Sequence, residues 1–323
     1  METIFIDRKN TQITVAQGRL KVKHPGMEGS YTSLPLTQMN ALVISCDCQL
    51  TTGMLRSLSK FKVSLICLNN RNPDASMISV PMSNGNIARR VAQYQCISDD
   101  AQKSLFAQKL IRRKITLQLS MLRKLKSQRP DKATQFNRAI SALQKLRLKT
   151  STKLADATAN MHTLMGYEGI AAKHYFSAFT EAFAPSLEFT GRNKRPPRDP
   201  VNAVLSLMYT MTYFEAIRAC HGAGLAPYLG VLHQPDYNRA SLACDIEELI
   251  RTQVDFWVYE MFRLRVLRSD HFCRENSGAC MLTKAGRKVF FAQLAIAMPQ
   301  WRKYLRSICA ILAKTLVERD NTI

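Results

Sequence analysis

The spacing of apolar residues changes once along this chain, and that change limits its architecture more than any other feature. Before Pro81 the apolar positions alternate or run together in short stretches: TIFID, TQITVAQ, RLKVK, NALVISC and KVSLICL. Alternation marks a strand with one buried face. A short continuous run suits a strand covered on both faces. One insertion, TTGMLRSLSKF, reads as a short helix. PMSNGN (Pro81 to Asn86) concentrates turn-forming residues. Beyond it the apolar spacing is helical to the end. The expected fold class is α+β with the two kinds of element segregated. A small β-rich N-terminal domain covers residues 1–83, a linker 84–90, and a larger all-α domain 91–323.

The 323 residues carry a formal net charge of +22, and 46% of them are hydrophobic. The second figure makes the chain globular. The first points to a polyanionic partner. Residues 103–153 hold fifteen Lys and Arg against one acid, Asp131, a net of +14. In LIRRKITLQLSMLRKLK the apolar residues Leu110, Ile115, Leu117, Leu119, Met121, Leu122 and Leu125 recur at helical spacing. RPDK breaks the pattern and FNRAISALQKLRLKT resumes it. An ordinary solvated helix mixes charge signs, because opposite charges one turn apart stabilise it. A helix pair of one sign fits a phosphate backbone, with Arg112, Arg113 and Lys114 as candidate contacts. Aromatic residues are scarce there, so double-stranded DNA fits better than unpaired bases. No apolar run reaches the length of a spanning helix, and METIFIDRKN has no apolar signal core. A cytoplasmic protein with no membrane partner is expected. The nine cysteines are odd in number and lack Cys-x-x-Cys spacing, so reduced thiols are expected.

Three stretches carry candidate chemistry. From HQPDYNRASLACDIEELIR into the next residue, Ser241, Asp245, Glu248 and Thr252 share one face if the segment is a single helix. His233 precedes that helix and follows a tight turn, PYLG. Carboxylates one turn apart repel mildly unless a cation or base relieves them. In MGYEGIAAKHYF, Glu168 stands between Gly166 and Gly169, which would let a second chain or a ligand approach closely. In GRNKRPPRDP a basic loop ends in Asp199 as N-cap and Pro200 at the first helical position. The following VNAVLSLMYTMTYFEAIRAC is apolar on nearly all sides and reads as a central buried helix. Later, CRENSGAC reads as a polar turn, Thr283 as a helix cap and Pro299 as the start of a last helix. Trp257 and Trp301 are expected to pack.

GYEGIAAKHYF, RPPRDPVNAVLS, GLAPYLGVLH, RASLACDIEELIR and MLTKAGRKVF occur in that order, with RVAQY after the linker. Together they resemble the CRISPR-associated protein one family, the integrase subunit of CRISPR adaptation, over nearly the whole chain. The resemblance implies a β-sandwich-like N-terminal domain, here assigned to dimerisation, and a helical catalytic domain. It also implies a homodimer, and a small second adaptation subunit as partner. It further implies a divalent metal site of one glutamate, one histidine and one further acid. Carried onto this sequence, the ligands are Glu168 in Gly-x-Glu-Gly, His233 in Gly-x-x-His, and Glu248. Asp245 matches a family acid beside the metal and joins them as a catalytic candidate. Two positions depart from the pattern: Thr252 follows Arg251 where proline is common, and Cys244 replaces a small apolar residue. Neither touches a ligand position.

Two carboxylates and an imidazole suit Mg2+ or Mn2+. Such a site fits in-line attack of a 3′-hydroxyl of short incoming DNA on a repeat-boundary phosphodiester. With water as nucleophile it would be an endonuclease. Lys173, Arg195, Arg198, Arg239 and Arg251 are further candidate phosphate contacts. The alternative is a non-catalytic, DNA-binding architectural subunit with a vestigial metal site.

Overall fold

The N-terminal apolar runs form β1 (Glu2–Ile6), β2 (Gln12–Ala16), β3 (Arg19–Lys23), β4 (Thr32–Pro35), β5 (Met39–Ile44), β6 (Ser64–Cys67) and β7 (Met77–Ser79). This is a computed structural model; it describes residues 2–25, 31–69, 75–81, 87–152, 160–193, 196–233 and 239–320. Strands β1, β5, β6 and β7 lie in that order in one sheet, parallel except for the β6–β7 pair. Every residue of β5 is buried, as its unbroken apolar run requires of a central strand. Strands β2, β3 and β4 form an antiparallel meander. Gln17 and Gly18, between β2 and β3, both have positive φ, the conformation a two-residue hairpin needs to match strand twist. Helix α1 (Thr52–Lys60) is the expected insertion, and the Thr51 hydroxyl accepts from Met54 N. Met54 and Leu58 of α1 pack into a core with Ile13, Leu20, Leu42 and Leu65.

After the linker come α2 (Ile87–Ser98), α3 (Asp100–Gln128), α4 (Ala133–Thr152), α5 (Met161–Thr180), α6 (Pro200–Gly222), α7 (Ser241–Glu247) and α8 (Arg251–Arg263). The chain ends with α9 (Lys284–Asp320). Residues 84–86 of the expected linker lie outside the described residues, and its remainder, 87–90, is already helical in α2. The chain divides into two compact units: Met1–Asn84 with Thr283–Pro299, and Gly85–Leu282 with Gln300–Ile323. In the second, α3 packs against α4, α5 and α8, and α6 against α7 and α8. Of the apolar positions read on α3, Leu110, Ile115, Leu119, Met121, Leu122 and Leu125 are buried, and Leu117 is half-buried. Helix α6 buries residues around its whole circumference, and the Asp199 carboxylate accepts from Asn202 N ahead of Pro200.

Three local expectations fail. CRENSGAC is not a bare turn. It contributes to an antiparallel hairpin of β8 (Phe272–Arg274) and β9 (Cys280–Leu282), so the larger region is not wholly helical. Phe272 and Cys280 flank a polar tip, and that alternation is too short to register as strand. Pro299 does not open a helix; it sits inside α9. Leu294, Met298, Trp301 and Leu305 are all buried at helical spacing through the proline. Burial of that stripe outweighs the hydrogen bond that proline removes. The expected helix through Thr252 is broken after Glu247 and resumes at Arg251. Trp257 and Trp301 do pack, edge to face with centroids 5.9 Å apart.

Candidate active site

The site is assembled on the PYLG turn and α7. Gln93 of α2, itself buried, donates to Ala226 O at 3.0 Å and Leu229 O at 2.9 Å, and accepts from Ala226 N at 2.9 Å. The Pro227 carbonyl accepts from Leu242 N and Ala243 N, two otherwise unpartnered amides of the first turn of α7. The turn and the helix touch so closely at Gly230 that a Cβ there would lie 2.6 Å from the Ser241 carbonyl carbon. Only glycine fits. The next residues are held by Asp245. One carboxylate oxygen accepts from Val231 N at 2.7 Å and Leu232 N at 3.2 Å. The other accepts from His233 N at 3.1 Å and pairs with His233 Nδ1 at 2.7 Å. With Nδ1 carrying the proton toward Asp245, the His233 Nε2 lone pair is the one available to a ligand.

Glu168 of α5 and Glu248, just past α7, converge on one cation, the Nζ of Lys114 on α3. Lys114 donates to Glu168 Oε1 and lies 2.8 Å from Glu248 Oε2. Glu248 Oε2 is buried, and the cation it faces is the Lys114 ammonium. Its other oxygen accepts from Arg251 Nη1 at 2.5 Å. Burial opposes ionisation of Glu248, but Arg251 and then Lys114 and His233 override it and hold its pKa down to about 2. Burial likewise opposes the Lys114 charge, and Glu248 with Glu168 raises its pKa regardless. Next along the chain, Glu247 is pushed up to about 7 by burial, with its Oε1 accepting from the Thr212 hydroxyl at 2.8 Å. His233 acts electrostatically on both Glu247 and Glu248.

Several assigned roles change. Lys114 is not an outward phosphate contact, because its side chain is only 10% exposed and bridges the two carboxylates. Arg251 is half-buried, paired with Glu248 and lying over the Tyr209 ring, 4.1 Å from its centroid. Asp245 is 1% exposed and spends both oxygens on the His233 loop, so it orients the imidazole and does not face a ligand. Glu168 lies in the third turn of α5, not at its start, and so gains nothing from the helix N-terminus. A Cβ on Gly166 or Gly169 would meet nothing within 4 Å, which leaves the helix face beside Glu168 open. Arg112, Arg113, Lys173 and Arg198 are exposed. Arg239 is half-buried against the Cys244 thiol. Arg195 lies outside the described residues, as do 234–238 of the loop after His233. Among the described residues, no three His, Cys, Asp or Glu side chains gather as a ready metal cage. What converges is two carboxylates on an ammonium, with His233 beside them.

Four residues of the site carried no readable signal. Glu247 looked like an ordinary helix charge. Gln93, Tyr209 and Asp255 are polar groups within helical stretches, and only the stretch bearing Tyr209 reads as buried. The one available clue was their residue type, since a buried polar side chain needs a partner.

The sequence profile described as "CRISPR associated protein Cas1" matches residues 4–295. The chain is 34% identical over 325 residues to "CRISPR-associated endonuclease Cas1 1" of Thermodesulfovibrio yellowstonii, covering 100% of this chain and 99% of that one. Its fold matches a structure described as "Casposase bound to integration product", with TM-score 0.84, 21% identity and coverage of 99% and 91%. It also matches a chain of a "Cas6-RT-Cas1--Cas2 complex", with TM-score 0.80 and 22% identity, covering 98% of this chain and 35% of that one. Likeness at such identity speaks to fold alone. The full-length relative and the profile together place this chain in the Cas1 family of CRISPR associated proteins.

Proposed function

We propose that this chain is a divalent-metal-dependent DNA integrase and endonuclease of CRISPR adaptation. It inserts short foreign DNA into a CRISPR array by 3′-hydroxyl attack on a repeat-boundary phosphodiester. The observation that carries this reading is the convergence of Glu168 and Glu248, eighty positions apart, on a single cation beside His233. Two carboxylates drawn together from distant positions need a cation to offset their repulsion, and such clusters are enriched at functional sites. The names of the matched relatives, an endonuclease and an integration complex, support the same reading.

The donor set fits a hard divalent ion, Mg2+ or Mn2+: two carboxylates drawn onto one ammonium, and an imidazole whose Nδ1 is engaged by Asp245, which leaves Nε2 as the nitrogen for a ligand. Glu168, Glu248 and His233 would hold it. Bound there, such an ion supplies Lewis-acid stabilisation of charge on a phosphodiester oxygen. The chain's own residues do the rest. Asp245 fixes the imidazole tautomer and Gly230 admits the turn. Lys114, which offsets both carboxylates, would be free to pair with a phosphate oxygen if an ion took its place. The exposed Arg112, Arg113, Lys173 and Arg198 add backbone contacts that hold the DNA. The working assembly is a homodimer, with the β-rich N-terminal region as dimerisation element, bound to a small second adaptation subunit. The Cas1–Cas2 complex among the fold matches supports that partner.

The test is strand transfer of a labelled oligonucleotide into a supercoiled repeat plasmid with Mg2+ or Mn2+. Wild type should transfer and Glu168→Ala should not. One observation favours the architectural reading: Lys114 already neutralises both carboxylates. Equal activity of wild type and Glu168→Ala would decide for it.

A further inference from the structure

We infer that Tyr209 and Asp255 are positioning residues that fix the Glu248 carboxylate by way of Arg251; this rests on the function proposed above. The chain of contacts is short. Arg251 Nη1 holds Glu248 Oε1 at 2.5 Å. The Arg251 guanidinium lies 4.1 Å from the centroid of the Tyr209 ring. The Tyr209 hydroxyl donates to Asp255 Oδ1, and the Tyr175 hydroxyl donates to Asp255 Oδ2 at 2.8 Å. Asp255 is fully buried. It sits one turn beyond Arg251 on α8, Tyr209 comes from α6, and Tyr175 from α5, two turns beyond Glu168. The cluster thus ties the helix bearing one carboxylate to the residue that holds the other.

Arg251 needs this support. Its Nε is buried and has no hydrogen-bond acceptor among the described residues, so hydrogen bonds alone do not fix the guanidinium plane. Arg192 approaches the same ring at 5.2 Å, but it is anchored by Asn193 O, Asn202 and Ser206. Attraction between a cation and an aromatic face grows as water is excluded. A phenol donating to a carboxylate puts more electron density on its ring, which strengthens that face further. Asp255 gives both oxygens to phenols, so it does not compete with Glu248 for the arginine. Buried as they are, Tyr209 and Asp255 touch no substrate and act only through Arg251.

The experiment is a double-mutant cycle in single-turnover strand transfer, with Tyr209→Leu, Arg251→Met and the pair. DNA affinity is followed by anisotropy, and folding by urea midpoint. Tyr209→Leu should lower the transfer rate about 30-fold at unchanged DNA affinity. In the Arg251→Met background the same change should cost less than about 3-fold, since the group it acts through is gone. Tyr209→Phe keeps the ring and should recover most of the loss, to within about 5-fold of wild type. If Tyr209→Leu does not fold, the cycle is run with Tyr209→Phe and with Asp255→Asn, each expected to lose its effect beside Arg251→Met. Losses that multiply in both backgrounds would mean plain core packing and overturn the inference. A wild-type chain that transfers no strand sinks the function reading and this one with it. An active wild type with multiplicative losses sinks this one alone.

Discussion

Replacing Lys114 with methionine tests the site's charge balance directly. Methionine keeps much of the buried chain length and removes the ammonium. In the wild type, Lys114 and Arg251 offset Glu168 and Glu248. Without Lys114, two carboxylates face each other and only Arg251 remains. Removing one partner of a buried pair costs about 3–5 kcal/mol. The low end applies here, because the Glu168 side chain is 27% exposed and can turn toward water. A loss of about 3 kcal/mol is expected in EDTA, read as a lower urea midpoint at constant slope. Arg113→Met, one residue away and exposed, is the control and should stay within about 0.5 kcal/mol of wild type.

Adding Mn2+ or Mg2+ then separates two accounts. If the carboxylates are ligands, the Lys114→Met site accepts the ion without displacing anything. At a hundred times its dissociation constant the ion returns about 2.7 kcal/mol. In the wild type the ion must first evict the ammonium. With affinity tenfold weaker, the same concentration adds only about 1.4 kcal/mol. A variant that loses nothing in EDTA, or a wild type that gains as much from the ion as Lys114→Met, would refute the reasoning.

Stability should also depend on pH through Glu247. Its folded pKa is about 7 against an ordinary 4.5, so the folded chain binds the proton more tightly than the unfolded one. Its contribution is fully present below about 4.5 and is lost as pH rises through about 7, on the order of 3 kcal/mol in all. Asp255, pushed up to about 6 by burial, has the same sign, whereas Glu248, at about 2, titrates below that window. Glu247→Gln should flatten urea stability between pH 4.5 and 7, and an unchanged slope would exclude Glu247 as its source. Gly230→Ala should cost about 1–3 kcal/mol and most of the transfer activity, because the added Cβ meets Ser241 backbone; a neutral urea midpoint would show that the turn can shift. Arg112→Ala and Arg113→Ala should each lower the slope of log affinity against log salt by about one, measured by anisotropy with duplex DNA. Unchanged slopes would remove this face of α3 from the DNA surface.

The order of elements was legible because periodicity is a local property. The β5 run and the circumferential burial of α6 follow from residue type alone, and so does the Asp199–Pro200 helix start. The site was legible only in its acids and its histidine. Glu168, His233 and Glu248 could be named as a set from the resemblance, yet nothing local said what stands between them. Partner choice among buried charges is set by which helices pack, and α3, α5 and α8 meet only in the folded chain. Asp245 shows the same limit. Its spacing from Glu248 suggested a shared ligand. The break after Glu247 and the approach of the PYLG turn commit it to four contacts with one loop.

Helix α3 shows why charge counting alone misassigns roles. Arg112, Arg113 and Lys114 are consecutive, so they point about 100° apart around the helix. The same local composition therefore supplies two arginines to solvent and one ammonium to the interior. Under the proposed function, the first two act on DNA through long-range attraction that salt screens. The third sits beside carboxylates in a buried setting, where salt reaches weakly. If the proposed chemistry is right, one helix couples these functions: DNA gripped on the outer face brings its phosphate toward a lysine that must leave the carboxylates before an ion can enter. Divalent-ion affinity should then rise when duplex DNA is bound, and that rise should shrink in Lys114→Met. An ion affinity indifferent to DNA in both proteins would break the coupling and leave α3 with two unrelated roles.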